Sequence, residues 1–213
     1  MPFVDVLFPV QGNVVPVDHG YHLYSAVSKI LPQLHGDDAV GVHPISGALN
    51  GDRSLLLTDR SFLSIRLPAE RVGEILPLAG KVLRVLDSDV RVGVPHARGL
   101  TPAPRLYGRL VVIKGFTEPH AFLDAVQRQL DALGVKGKAG LVEQSRFAEE
   151  NQGRNGGTRS PFLRRTIRIR DKEVVGFALR LEELTAEESI LVHEKGIGGR
   201  RRFGCGIFIP DRR

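Results

Sequence analysis

The chain has 213 residues, 42% of them hydrophobic and 25% charged, with a formal net charge of +6 and a pI of about 9.8. That composition excludes wholesale disorder, supports one large or two small packed domains, and favours an acidic partner. No apolar run approaches transmembrane length, the opening Met1-Pro2-Phe3-Val4-Asp5 lacks the basic region of a signal peptide, and a lone Cys205 excludes an intrachain disulfide. The expectation is a cytoplasmic protein with no membrane partner.

Phe3 to Val10 is apolar and β-branched and predicts a strand. Asp18 follows as an N-cap, and Leu23, Val27, Ile30, Leu31 and Leu34 recur at helical spacing, with Pro32 expected to kink or end the helix. Short strands are expected around Val40–Ile45, Ser54–Thr58 and Phe62–Leu67. Pro68-Ala69-Glu70 opens a second helix to about Leu76. Lys81–Leu86 and Asp89–Val94 read as a closing hairpin, and Thr101-Pro102-Ala103-Pro104 as a linker.

The pattern then repeats. Leu106–Lys114 predicts a strand and Glu118–Leu133 a helix, with Phe122, Val126, Leu130 and Leu133 on one face and Gly134 ending it. Residues 135–160 read as a long loop, and Phe162–Arg170 with Glu173–Leu181 as a hairpin through Asp171-Lys172. Thr185-Ala186-Glu187-Glu188 is a capping box opening a helix to about Lys195, and Phe203–Ile209 closes as a strand with Cys205 buried in it. Both halves order as β-α-β-β-α-β. The expected fold is α+β: two tandem ferredoxin-like (RRM-like) βαββαβ domains, residues 1–100 and 101–213.

Charge is uneven along the chain: residues 1–100 carry a net −1, residues 101–213 a net +7. The polyanion-facing surface is therefore expected mainly from the second half. Its centre is the run Gly196-Ile197-Gly198-Gly199-Arg200-Arg201-Arg202-Phe203-Gly204-Cys205-Gly206. Glycine pairs at both ends let the main chain turn and approach a ligand closely, exposed amides can cradle an anion, and arginines pair with phosphate oxygens. Arg200, Arg201 and Arg202, with Gly196, Gly198, Gly199 and Gly204, thus form a candidate clamp for a nucleic-acid backbone. In the strand Arg164–Arg170, Arg168 and Arg170 share a face opposite Ile167 and Ile169; Arg164, Arg165 and Arg168 are secondary contacts. The sheet lacks the aromatic signature of base-stacking RNA-recognition motifs.

The glycine-rich loop, its place before the last strand, and the tandem ferredoxin-like order resemble the CRISPR repeat-processing endoribonucleases, the sixth Cas protein family. The wording Asp18-His19-Gly20-Tyr21, Leu34-His35, His43-Pro44-Ile45, Ile113-Lys114-Gly115-Phe116 and Ala186–Ser189 through Gly206 is similar to its myxan-type branch. The resemblance implies a metal-independent endoribonuclease without cofactor. It cuts precursor CRISPR RNA within each repeat, leaves 5′-hydroxyl and 2′,3′-cyclic phosphate ends, and hands the guide RNA to a Cas interference complex. A non-cleaving RNA-binding subunit of a CRISPR ribonucleoprotein is the alternative; it would keep the basic loop without a competent histidine.

Such cleavage needs a base for the 2′-hydroxyl, an acid for the leaving 5′-oxygen and a donor for the crowded phosphorane. Four histidines fall in the first 43 residues: His19, His22, His35 and His43. The family's catalytic histidine follows the first helix in a Leu-His setting, which the resemblance places at His35. His19 matches a histidine at the start of that helix, structural first and catalytic second, and His43 is held in reserve. Where the family carries a helical tyrosine this chain has Ser28, followed by Lys29; Ser28 would orient the 2′-hydroxyl and Lys29 would stabilise charge. Tyr21 and Tyr24 are expected to pack the helix onto the sheet. His19 and His22 at i, i+3 lack an accompanying Glu-x-x-His arrangement, so no metal site is expected.

Overall fold

The computed structural model describes residues 2–144 and 161–211. The protein is α+β, with antiparallel sheets in two compact units. One comprises residues 1–101, 167–173 and 200–205; the other comprises 102–166, 174–199 and 206–213.

In the first unit, β1 (Phe3–Gln11) is the spine. After it the chain forms β2 (Val14–Pro16), α1 (Gly20–Ile30), β3 (Gly41–Val42), β4 (Ala48–Leu49), β5 (Ser54–Leu56) and β6 (Phe62–Pro68). β1 pairs with β6 along its length, from Phe3↔Pro68 to Pro9↔Phe62, and β3 adds to the far edge of β6. The other edge of β1 is shared: β8 (Ser88–Val92) takes Val10 and Gln11, and β9 (His96–Gly99) takes Val4 to Leu7. Pro9 sits where the partner changes, so its missing N–H interrupts neither ladder, while its carbonyl accepts from Gly93 N at 2.8 Å. β7 (Val82–Val85) closes the expected hairpin with β8.

Helix α1 buries Gly20, Leu23, Tyr24 and Val27, an i, i+3, i+4, i+7 stripe. It stops at Ile30; Pro32 starts a 3₁₀ turn, Pro32–Leu34, which His35 ends in extended conformation. Ser28 and His35 therefore do not share a continuous helix. Asp18 is not the N-cap: His19 occupies that position without a side-chain cap, and Asp18 Oδ2 accepts from Arg168 N at 2.9 Å. The helix expected from Pro68 to Leu76 is instead two 3₁₀ segments, Ala69–Glu74 and Leu76–Leu78. Gly73 weakens it, and Pro77 removes an N–H and disfavours a helical Leu76. Ser54–Leu56 forms a strand outside the main sheet, in a small sheet ordered β2-β5-β4.

In the second unit, β10 (Leu106–Val111) lies between β13 (Lys172–Glu182) and β14 (Phe208–Pro210), and β11 (Lys138–Leu141) flanks β13. β12 (Arg164–Ile169) also pairs with β13, the end of β12 and the start of β13, residues 167–173, being counted with the first unit. Helix α2 (Pro119–Leu133) buries Phe122, Ala125, Val126 and Leu130 and ends at Gly134 in the left-handed region. Helix α3 (Ala186–Lys195) opens with the full capping box of Thr185 and Glu188. Phe122, Phe177 and Phe208 anchor the core. Part of the loop expected over 135–160 is strand β11; the rest of that loop, from residue 145, lies outside the described residues. The last strand is shorter than expected. Arg201–Phe203 is a 3₁₀ turn, and Gly204 and Gly206, at φ +82° and +65°, break the extended run, although Cys205 is fully buried.

Gly20 shows how tightly the 200–205 segment seats in the first unit: a Cβ there would overlap the carbonyl oxygen of Phe203. Helix propensity favours Gly20→Ala by about 1 kcal/mol. A backbone carbonyl cannot rotate away, and overpacking costs about 1–3 kcal/mol, so the clash should win. Thermal unfolding should show a lower Tm for Gly20→Ala; an equal or higher Tm would contradict this packing.

Candidate functional site

His35 is exposed on the short loop after α1. Three ties fix that loop within its unit. The Tyr24 hydroxyl donates to Leu34 O at 3.0 Å and accepts from Gly36 N at 2.9 Å. Arg71 Nη2 meets Asp37 Oδ2 at 2.6 Å while also clasping Glu74. Arg202 Nη1 meets Asp38 Oδ1 at 3.2 Å. The last tie joins the histidine loop to the arginine run.

The three arginines have three different environments. Arg200 is half-buried, in left-handed conformation, and makes no ion pair among the described residues. Arg202 pairs with Asp38 and lies 5.2 Å over the Phe203 ring. Arg201 is buried; burial first, and the like charge of Arg66 second, push its guanidinium down to about 10, with Asp38 and Asp5 opposing. It stays charged at neutrality but is not a surface clamp.

The glycine amides expected to cradle an anion are otherwise engaged. Gly198 N donates to Gln129 Oε1 at 2.7 Å and Gly199 N to Val112 O at 2.9 Å. Gly198 has φ +78°, and a Cβ there would press on Val112 O, so these glycines shape the turn. Gly196 ends α3 at φ +69°, and Gly204, at φ +82°, packs against Pro44. Gly196, Gly198, Gly199, Arg164 and Arg165 belong to the second unit; Arg168, Arg200 to Arg202 and Gly204 belong with His35 in the first. Arg164 and Arg168 are exposed, and Arg164 lies 5.8 Å over the Phe177 ring.

His19 is fully buried, with Nδ1 2.6 Å from Pro16 O and Nε2 accepting from Ile45 N at 2.8 Å. Both ring nitrogens serve the backbone, which makes His19 a strut at the start of α1. Among the described residues Ser28 Oγ is buried without a hydrogen-bond partner, and Lys29 is exposed on the last turn of α1; neither is hydrogen-bonded to His35.

Sequence reasoning missed the charged group beneath His43. Arg66 clasps Asp5 with two hydrogen bonds, Nε to Oδ1 at 2.7 Å and Nη2 to Oδ2 at 2.9 Å, both residues buried. Asp5 and Arg66 are directly opposite in the β1–β6 register, and that alternation inside two apolar strands was the available signal. His43 Nε2 approaches Asp5 Oδ1 at 3.7 Å, an electrostatic contact too long for a hydrogen bond. Burial alone would raise the Asp5 carboxyl; His43 and Arg66 overcome this and hold it well below the carboxylate range. Burial lowers His43, with Arg66 and Arg201 adding to the shift and Asp5 opposing it. Among the described residues no three of His, Cys, Asp and Glu converge as metal ligands.

Antiparallel α+β units, one of them holding both an imidazole loop and an arginine turn, define the class by fold and site. Similarity to known proteins narrows the class. The Cas6 model, described as Cas6 Crispr, matches residues 4–213. The CRISPR-associated endonuclease Cas6 of Myxococcus xanthus (strain DK1622) is 42% identical over 213 residues, covering 100% of this chain and 84% of that protein. The chain belongs to the Cas6 family. A Cas6-related protein from Pyrococcus furiosus superposes with a TM-score of 0.63 at 15% identity, over 100% of this chain and 99% of that one. Another structure, described as CRISPR associated protein Cas6, gives 0.65 at 10% identity, over 99% of this chain and 100% of that one. These two share the fold.

Acid should destabilise the protein in two stages. His43 is lowered in the folded state, so its contribution is complete above the unfolded value of about 6.5 and is lost as pH falls from there through the folded value. Asp5 is also lowered, so its contribution is complete above about 3.9 and disappears at still lower pH. Urea unfolding across pH should show stability falling from about pH 6.5 downward, with His43→Gln removing the upper part of the descent. A wild-type protein that gains stability between pH 7 and 5 would contradict this.

Proposed function

We propose that this Cas6-family endonuclease binds CRISPR repeat RNA and cleaves precursor CRISPR RNA within the repeat. A ribose 2′-hydroxyl attacks the adjacent phosphorus, the 5′-oxygen leaves, and the ends are a 2′,3′-cyclic phosphate and a 5′-hydroxyl. The observation that carries this reading is the exposed His35 loop tied to the arginine turn through Asp38 and Arg202. An imidazole exchanges protons near neutral pH, which suits it to the 2′-hydroxyl or the leaving oxygen. Arg200 and Arg202 meet backbone phosphates beside it, and Lys29 supplies further positive charge. His19 holds the helix start, and the buried Ser28 Oγ takes no part in proton transfer. The likeness of these 213 residues to a CRISPR-associated endonuclease, at 42% identity, supports the substrate class.

His35→Ala should slow cleavage of a repeat RNA by about 10²–10⁴-fold while RNA affinity stays near wild type. Cutting by the wild type should persist in excess EDTA, and a repeat with a 2′-deoxy substitution at the scissile nucleotide should bind but stay whole. Gel assays decide all three. Normal cutting by His35→Ala, or loss in EDTA restored by magnesium, defeats the chemistry. A wild type that binds the repeat tightly and never cuts it is a binding subunit.

The divided arginines predict different phenotypes. Arg200→Ala should leave Tm unchanged, weaken repeat binding and flatten its salt dependence by roughly 0.7 in slope, one single-strand phosphate contact. Arg201→Ala should instead lower Tm. If Arg200→Ala keeps wild-type affinity and slope, the phosphate contact belongs elsewhere, first at Arg168, then at Arg164 and Arg165.

A further inference from the structure

Tyr24 stands beneath the His35 loop. It is 5% exposed on the buried face of α1. Its one oxygen donates to Leu34 O and accepts from Gly36 N, the backbone groups on either side of His35. Its ring lies 28° from parallel to the His35 imidazole, with centroids 6.3 Å apart. Its edge meets the Phe203 ring at 5.3 Å and 84°. One side chain thus touches both the histidine and the turn that carries Arg200 to Arg202. The phenol's proton and one of its lone pairs are committed inside the protein, to the main chain around His35.

We infer that Tyr24 is a positioning residue for cleavage: its hydroxyl fixes the main chain around His35, and its ring registers the imidazole against the Phe203 turn. This rests on His35 being the catalytic histidine. The other ties do not replace the hydroxyl. Arg71 and Arg202 hold Asp37 and Asp38, beyond the histidine, and Gln33 Nε2 donates to Glu74 O at 3.1 Å, before it. Nor is the hydroxyl needed for the turn to form. Leu34 O also accepts from Asp37 N at 3.2 Å, and His35 N donates to Pro32 O at 3.0 Å. Removing the oxygen therefore loosens His35 without unfolding the loop. Rate is sensitive to such loosening, because a misplacement of about 1 Å can cost on the order of 10²-fold.

Tyr24→Phe keeps the ring and deletes the oxygen. Under single-turnover conditions with labelled repeat RNA, it should cut at least about tenfold more slowly, with an affinity matching wild type. The double variant Tyr24→Phe/His35→Ala should be no slower than His35→Ala alone, since the oxygen acts through the imidazole. In histidine NMR spectra, the His35 ring signals should move or broaden in Tyr24→Phe while those of the buried His19 stay in place. In the wild type, the Gly36 amide should be protected from hydrogen exchange although its residue is exposed, a measurement that needs no variant. A wild-type rate in Tyr24→Phe, a double variant slower than His35→Ala, or an unprotected Gly36 amide overturns the inference. Normal cutting by His35→Ala overturns the underlying assignment instead, so the two failures are told apart.

Discussion

Phe203 is the contact on which the arrangement of the site depends. Its ring meets the edge of Tyr24 at 5.3 Å and lies tilted against Tyr21 at 5.7 Å. Its carbonyl fills the place where Gly20 has no side chain. Aromatic pairs in these geometries add about 0.5–1.5 kcal/mol beyond the area they bury, and the close backbone approach admits one register. Once Phe203 is seated, the three preceding arginines have little freedom. Arg201 turns inward toward Asp5 and Arg66, Arg202 lies over the Phe203 ring toward Asp38, and Arg200 has no ionic partner among the described residues.

The buried charges below this contact make a stiff floor. A clasped Asp5–Arg66 pair at the centre of a sheet contributes little net stability against an apolar pair of equal volume, yet losing one partner is costly because the other is stranded. Burial first, with Arg66 and Arg201 adding to it against Asp5, favours the neutral form of His43 above this pair. Acid destabilises the fold through this floor, so pH profiles of activity need stability measured alongside.

Local signals in the sequence were legible. The stripe of α1, its stop before Pro32, the left-handed Gly134 and the Thr185–Glu188 capping box each involve residues within a turn or two of one another. The second helix of the first half failed because Gly73 and Pro77 outweighed a proline start. The candidate site was legible only as a set of residue types. The arginine triplet read as one patch in sequence, but its partners Asp38, Asp5 and Arg66 lie far away along the chain. The glycine amides read as free donors, but their acceptors, Gln129 Oε1 and Val112 O, come from separate elements. Tyr24 read as core packing, and it does pack; its second task exists only because the 3₁₀ turn brings Leu34 and Gly36 back over the helix. His19 read as structural first and catalytic second, and both of its ring nitrogens meet backbone groups of separate segments.

In the proposed function His35 and the arginine turn share one RNA-facing surface. The most direct test is histidine NMR of the intact protein during titration with a repeat RNA made non-cleavable by a 2′-deoxy scissile nucleotide. The His35 ring signals should shift and saturate with the RNA, while those of buried His19 hold still. Saturating RNA that leaves His35 unmoved would contradict it.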